Sequence, residues 1–266
     1  MRKTVIAAAL GAAAALPGLA SAQTAAPQSP HTLTGNMTIV SDYRFRGISQ
    51  TFGQPAIQGG IDYSHASGFY AGNWNSNVSG LSFNNGGGIE MDFYGGFKKA
   101  FGDFGFDVGV LQYYYPAATA GATGVKYDTL EAYGLVSWKW ISAKYSITTG
   151  DLFGLNSTTY ATNTAGAVAC TGSDSKGSGY LDVIASYEIR PKLTIVGHYG
   201  NQSIKNCSAL EYSDYKIGLT YDASGWLLGA AYIDTDADPA FYTLQSASKT
   251  KDVGKGTVVL SVGKTF

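Results

Sequence analysis

Apolar and polar residues alternate with a period of two along most of this chain, which is the pattern of strands with two unlike faces. Counting that alternation between turn-forming residues predicts strands at 35–47, 56–64, 69–78, 88–98, 104–114 and 127–138. Six more are predicted at 143–152, 179–189, 193–202, 212–221, 226–234 and 256–266. No segment carries the 3.6-residue period of an amphipathic helix of any length.

The connections alternate as well. Short turns are expected at 65–67, 99–103, 140–142, 190–192 and 222–225, and longer loops rich in Gly, Ser, Thr, Asn and Ala between them, most clearly at 154–178 and 235–255. Tight turns at one end and long loops at the other, with an even strand count that returns both termini to the turn side, fit an outer-membrane barrel. A soluble β-sandwich shares the strand lengths but has no reason for that rhythm. The expected fold is all-β: a closed, up-and-down, antiparallel transmembrane β-barrel of about twelve strands.

The N-terminus agrees with export. Arg2 and Lys3 precede an apolar run from Thr4 to Leu19 that ends in Ala20-Ser21-Ala22, the layout of a cleaved secretory signal peptide. The run is short of the about 20 apolar residues that a spanning helix needs. The expected organisation is a signal peptide at 1–22, a short leader at 23–34 and a barrel at 35–266 in the outer membrane of a Gram-negative cell.

Composition sharpens this. The chain holds 35 glycines and 19 tyrosines but only 14% charged residues. Glycine relieves crowding on a curved sheet, and tyrosine suits a boundary that is apolar on one side and wet on the other. A net charge of -1 without a basic stripe argues against a nucleic-acid partner. The partners to expect are outer-membrane lipid, small hydrophilic solutes or ions, and the barrel-assembly machinery. For the last, the closing strand ends in Phe266, and an aromatic terminus resembles the signal which that machinery reads; Lys264 departs from the usual apolar residue nearby.

In the first strand Met37, Ile39, Tyr43 and Phe45 share one face, expected towards lipid, and Asn36, Thr38, Asp42, Arg44 and Arg46 the other, expected towards the lumen. Asp42, Arg44 and Arg46 are the densest polar group. They are expected to pair with Asp62, Glu90 or Asp92 on neighbouring strands, because a buried unpaired charge is costly. That lattice serves either to set solute selectivity at a constriction or to fill a narrow barrel. Parity adds acids at Asp107, Glu131, Asp182, Glu188 and Asp214 against bases at Lys98, Lys144 and Lys216, an acid excess that favours cations.

The segments Ser41-Asp42-Tyr43-Arg44-Phe45-Arg46-Gly47-Ile48-Ser49-Gln50, Pro55-Ala56-Ile57-Gln58-Gly59-Gly60 and Gly68-Phe69-Tyr70-Ala71-Gly72-Asn73-Trp74 resemble the TorF-type porin family. Glu90-Met91-Asp92-Phe93-Tyr94-Gly95-Gly96 carries the likeness further, more faintly. The resemblance implies an outer-membrane barrel with a transport role and supplies neither a substrate nor catalytic residues.

Other chemistry is sparse. Cys170 and Cys207, the only cysteines, fall in long loops that strand counting puts on the same side, so a disulfide is expected after export. Asp234, Asp236 and Asp238 alternate like calcium ligands but lack the glycine and distant glutamate of an EF-hand, and read as an ordinary loop. Gly263-Lys264-Thr265 lacks the glycine that a phosphate loop needs at 258 and has no helix after it. No metal or cofactor is indicated. Two alternatives to a channel stay open: a non-conducting structural or adhesin-type barrel with ligand-binding loops, and an outer-membrane hydrolase. The latter would need His198, expected in the lumen with Thr194 and Val196, as its base; no Gly-x-Ser-x-Gly elbow accompanies it.

Overall fold

A sheet edge in a bilayer leaves a row of backbone donors and acceptors without partners, so a membrane sheet has to close on itself. The computed structural model describes residues 29–81, 87–120, 123–245 and 249–266, and in it the chain closes in that way. The expected signal peptide at 1–22 lies outside the described residues. The elements are β1 (His31–Val40), β2 (Arg44–Phe45), β3 (Ile48–Ser49), β4 (Ala56–His65), β5 (Phe69–Asn77), β6 (Ile89–Phe101), β7 (Phe104–Tyr114) and β8 (Thr129–Trp138). They continue with β9 (Ile141–Thr148), β10 (Gly179–Arg190), β11 (Leu193–Ser203), β12 (Tyr212–Ala223), β13 (Trp226–Thr235), β14 (Thr243–Gln245), β15 (Thr250–Asp252) and β16 (Thr257–Thr265). Twelve of these form the closed barrel, in the order β1-β16-β13-β12-β11-β10-β9-β8-β7-β6-β5-β4, every pair antiparallel. Closure runs from Asn36↔Thr265 to Val40↔Ser261, and Gly35 and Phe266 exchange backbone bonds of 3.1 and 2.8 Å beyond it.

β2 with β3, and β14 with β15, are small separate hairpins. Among the described residues no helix is long and apolar enough to cross a membrane. Relative to the expected strands, β1 starts four residues early, inside the expected leader, and stops at Val40 instead of running to 47.

The outward faces are apolar: Ile57, Ile61, Phe93, Val108, Val136, Ile217, Val258 and Leu260 are all exposed at alternate strand positions. The inward faces explain the glycine and tyrosine content better than boundary preference does. Tyr94 lies over Gly72, Tyr70 over Gly96, Tyr133 over Gly109 and Tyr180 over Gly200, each ring occupying the space that a Cβ would take on the next strand. At the short-turn end, Ser224 and Gly225 take φ of 58° and 90°, the left-handed pair of a two-residue hairpin whose twist matches its strands, and Asp222 accepts the Gly225 N–H at 2.6 Å.

Candidate functional site: the barrel lumen

After Val40 the chain leaves the wall and folds back into the barrel mouth, returning at Ala56. Asp42 organises this excursion by accepting from Arg44 Nε at 2.7 Å, Ser49 Oγ at 2.6 Å and Thr51 Oγ1 at 3.0 Å. β2 and β3 pair as a hairpin across Arg46 and Gly47, both left-handed with φ of 47° and 80°. Glycine is required at 47, where a Cβ would press on the Thr235 methyl and lie 2.8 Å from Asp214 Cβ.

The hairpin is fastened on several sides. Arg46 reaches Glu131 on β8 with two contacts of 2.8 Å and Gln202 on β11 at 2.6 Å, its guanidinium lying 4.1 Å from the Tyr180 ring centre and 4.7 Å from that of Phe45. Arg44 Nη1 donates to the carbonyls of Gly47, Val253 and Lys255 at 3.0, 3.0 and 3.1 Å. Tyr43 Oη donates to Glu90 at 2.6 Å, and Ile48 is buried with Phe52, Tyr212, Ala237 and Val253.

Three expectations are corrected here. Asp42, Arg44 and Arg46 are not on a wall strand, because the two-residue turn at Arg46-Gly47 reverses the chain inside the mouth. Tyr43 and Phe45 do not face lipid: Tyr43 is buried against Trp74, and Phe45 packs edge-on to Tyr113 and Phe153 inside the barrel. The arginines do not pair with Asp62, Glu90 or Asp92; Arg44 takes Asp42 from its own hairpin, and Arg46 takes Glu131 from across the lumen. Instead, Glu90 accepts from Tyr43 and from Tyr115 at 2.7 Å, and Asp62 from Tyr94 at 2.5 Å and Asn36 at 3.3 Å. Asp92 Oδ1 is buried with no hydrogen-bond partner among the described residues.

Below the hairpin the inward side chains are partly exposed. On the β5–β8 side Tyr70 bonds both Asp107, at 2.5 Å, and Tyr133, and Lys98 stands 5.0 Å from the Tyr70 ring centre. On the β9–β12 side Asp182 lies 3.9 Å from Lys144 and 3.1 Å from His198 Nε2, while His198 Nδ1 is 3.3 Å from Asp214. Buried at the level of the hairpin itself, Tyr180 Oη donates to Asp214 at 2.7 Å. Parity therefore located these charges, including His198, but passed over the neutral partners Tyr180, Gln202 and Tyr113. Their one available signal was membership of the same inward-facing register.

Outside the lumen, Cys170 and Cys207 are bonded, with an S–S distance of 2.04 Å and Cα atoms 4.1 Å apart, tying the β9–β10 loop to the β11–β12 loop. The three loop carboxylates are used locally: Asp234 accepts from Tyr232, Asp236 from the Ser213 N–H, and Asp238 caps the short helix Pro239–Tyr242. Lys264 sits 5.0 Å from the Trp226 ring centre and 5.8 Å from that of Phe266, its ammonium held over aromatic faces at the short-turn rim.

A family model described as a bacterial protein of unknown function, Gcw_chp, matches residues 24–266. No curated protein matches the sequence. Among solved structures, a NanC porin is 11% identical with a TM-score of 0.50 over 88% of this chain and 99% of its own. A KdgM porin is 9% identical with a TM-score of 0.50 over 88% and 98%. The COG4313 outer membrane channel from Pseudomonas putida F1 is 7% identical with a TM-score of 0.41 over 94% and 100%. At these identities the likeness is one of fold.

Proposed function

The chain belongs to the Gcw_chp family, and from the lumen that this member builds we propose that it is an outer-membrane, porin-like channel for passive passage of small hydrophilic solutes or ions. The observation that carries this reading is the state of the charges below the hairpin. Lys144 keeps 25% and Asp182 15% of its side-chain exposure in the interior of the barrel. Charges in lipid-enclosed protein need either partners or water, and these two are paired at 3.9 Å while their side chains stay partly accessible. The similar folds of the NanC and KdgM porins support the same reading, as does the resemblance of residues 41–74 to TorF-type porins.

On this view a signal peptide at 1–22 exports the chain, and the assembly machinery reads the strand ending in Phe266. Over the whole lumen the inward acids (Asp42, Asp62, Glu90, Asp92, Asp107, Glu131, Asp182, Asp214) outnumber the bases (Arg44, Arg46, Lys98, Lys144, Lys216), which gives a weak preference for cations because low-dielectric walls focus the field of fixed charges. Conductance of the purified protein in planar bilayers, with the reversal potential measured under a potassium chloride gradient, tests this. Stepwise ion-conducting insertions with a cation-signed potential are expected; a correctly folded barrel that never conducts would overturn it.

One observation favours a second reading. The hairpin at 41–55 is so fully bonded to the walls that a barrel sealed at its mouth, presenting the disulfide-tied loops to a ligand, fits the upper half equally well. Such a protein would bind a surface partner and stay silent in the bilayer. The hydrolase alternative gains nothing from the lumen, where the His198 nitrogens face carboxylates and no serine hydroxyl.

A further inference from the structure

The alternation that turns apolar side chains outward has an exception in the middle of β5. Trp74 and Ser76 are buried inside the barrel, so Asn73 and Asn75 point out. Asn73 sits between the outward-facing Ile61 and Phe93 of the neighbouring strands, and Asn75 between Gly59 and Met91. Counted from Phe69 at the short-turn end, the two stand four and six residues up the strand. Strand rise and tilt put them roughly 10 and 15 Å into an apolar band about 25 Å tall. Two amides therefore face hydrocarbon, where a polar group short of partners is costly.

Their own contacts use part of their bonding capacity. Asn75 Nδ2 donates to Asn73 Oδ1 at 2.6 Å, and Asn73 Nδ2 donates to the Asp92 carbonyl at 2.9 Å and to Asn75 Oδ1 at 3.3 Å. The second donor of Asn75 reaches the Gly59 carbonyl at only 3.4 Å. Among the described residues each amide oxygen accepts one bond, so each keeps a lone pair, and one N–H is loosely held. The surface around them is shaped for approach. Gly59 beside Asn75, and the Ala71–Gly95 pair next to Asn73, keep it low, while Ile57, Ile61 and Phe93 stand out around it, 64, 59 and 46% exposed.

We propose that the outward face of β4–β6 is the surface on which a second copy of this chain docks in the membrane, with Asn73 and Asn75 at its centre. Spare acceptors and a spare donor on the same pair of side chains make the patch self-complementary, as a twofold contact requires. All copies cross the bilayer in the same direction, so a twofold axis along the membrane normal sets each amide against the amide at its own depth. Other walls offer no such partner: the central outward positions of β8, β10, β12 and β13 are Gly134, Ala185, Ile217 and Ala230. That mismatch favours the patch against itself over a head-to-tail ring. Small residues that let backbones approach and amides that bond across the contact are the means by which membrane segments associate without a hydrophobic driving force.

The test is disulfide trapping of the full chain in outer-membrane vesicles, with one new cysteine at a time. Ala71→Cys is expected to give a covalent dimer on oxidation. Gly134→Cys, outward on the opposite side of the barrel with open space around its Cβ, should stay single. In lipid-dilution energy transfer between labelled barrels, the double variant Asn73→Leu, Asn75→Leu should need about tenfold more protein per lipid to pair, the worth of one or two such bonds. Heat-dependent gel mobility checks that this variant is folded; should it fold poorly, the cysteine pair decides alone. A barrel that stays single at every lipid ratio, equal trapping at positions 71 and 134, or a folded double variant that pairs as well as the native chain would overturn the proposal. Conduction by single barrels is a separate measurement, so neither outcome here decides the channel reading.

Discussion

At the level of the inserted hairpin, Arg46 and Glu131 keep 6% and 2% of their side-chain exposure, whereas Lys144 and Asp182, lower in the same barrel, keep 25% and 15%. The wall strands are the same and so is their alternation; what differs is whether a piece of chain fills the lumen. Where it does, charge is tolerated only through close geometry: two 2.8 Å contacts between guanidinium and carboxylate, the Tyr180 and Phe45 ring centres at 4.1 and 4.7 Å, and a glutamine completing the set. A buried pair of this kind adds little net stability, but breaking one side is severe because the partner is left charged and dry. Lower down, the charged side chains stay partly accessible. There a 3.9 Å separation such as Lys144 to Asp182 suffices, and such pairs contribute little to stability while still shaping the field inside the lumen.

The comparison is broken most drastically at Gly47. Gly47→Val would require a branched side chain at a φ of 80° and a Cβ within 2.8 Å of Asp214 Cβ, so the hairpin could not seat. Single-channel conductance should rise severalfold with the barrel still folded, since none of the ladder pairings involves residue 47. Conductance equal to that of the native protein would mean that the hairpin is not what narrows the mouth.

A smaller effect is expected from Arg46→Gln. It strands the buried Glu131 carboxylate and should destabilise the seated hairpin by about 3–5 kcal/mol, seen as longer open dwell times and cleavage of residues 44–53 by added protease. Removing positive charge should also raise the cation preference. In the double variant Arg46→Gln, Glu131→Gln no charge is stranded, and protection should largely return. If the double variant is as open as the single one, the latch is not electrostatic.

The smallest effect belongs to the lower lumen. Lys144→Gln should shift the reversal potential towards cations by a few millivolts while changing stability by less than about 0.5 kcal/mol. A stability loss as large as that from Arg46→Gln, measured by heat-dependent gel mobility, would erase the distinction between the two halves.

The wall of the barrel is legible from the chain alone. Period-two alternation, short and long connections in turn, and a closing aromatic strand are local properties. A one-residue slip anywhere would turn an apolar face inward, so the pattern determines strand count, register and which residues face the lumen. For that reason strand parity alone suffices to turn Asp62, Asp107, Lys144, Asp182 and His198 inward. The hairpin is not legible in the same way, because Asp42, Arg44 and Arg46 alternate with Tyr43 and Phe45 just as a continuing strand would. What ends the strand at Val40 is the sum of distant partners: Glu131 lies 85 residues from Arg46, Val253 209 from Arg44 and Glu90 47 from Tyr43. Alternation reports only that a residue has two unlike sides, and in a lumen too wide to be filled by its own walls, only the packed tertiary structure decides whether water or a returning segment of chain supplies the second side.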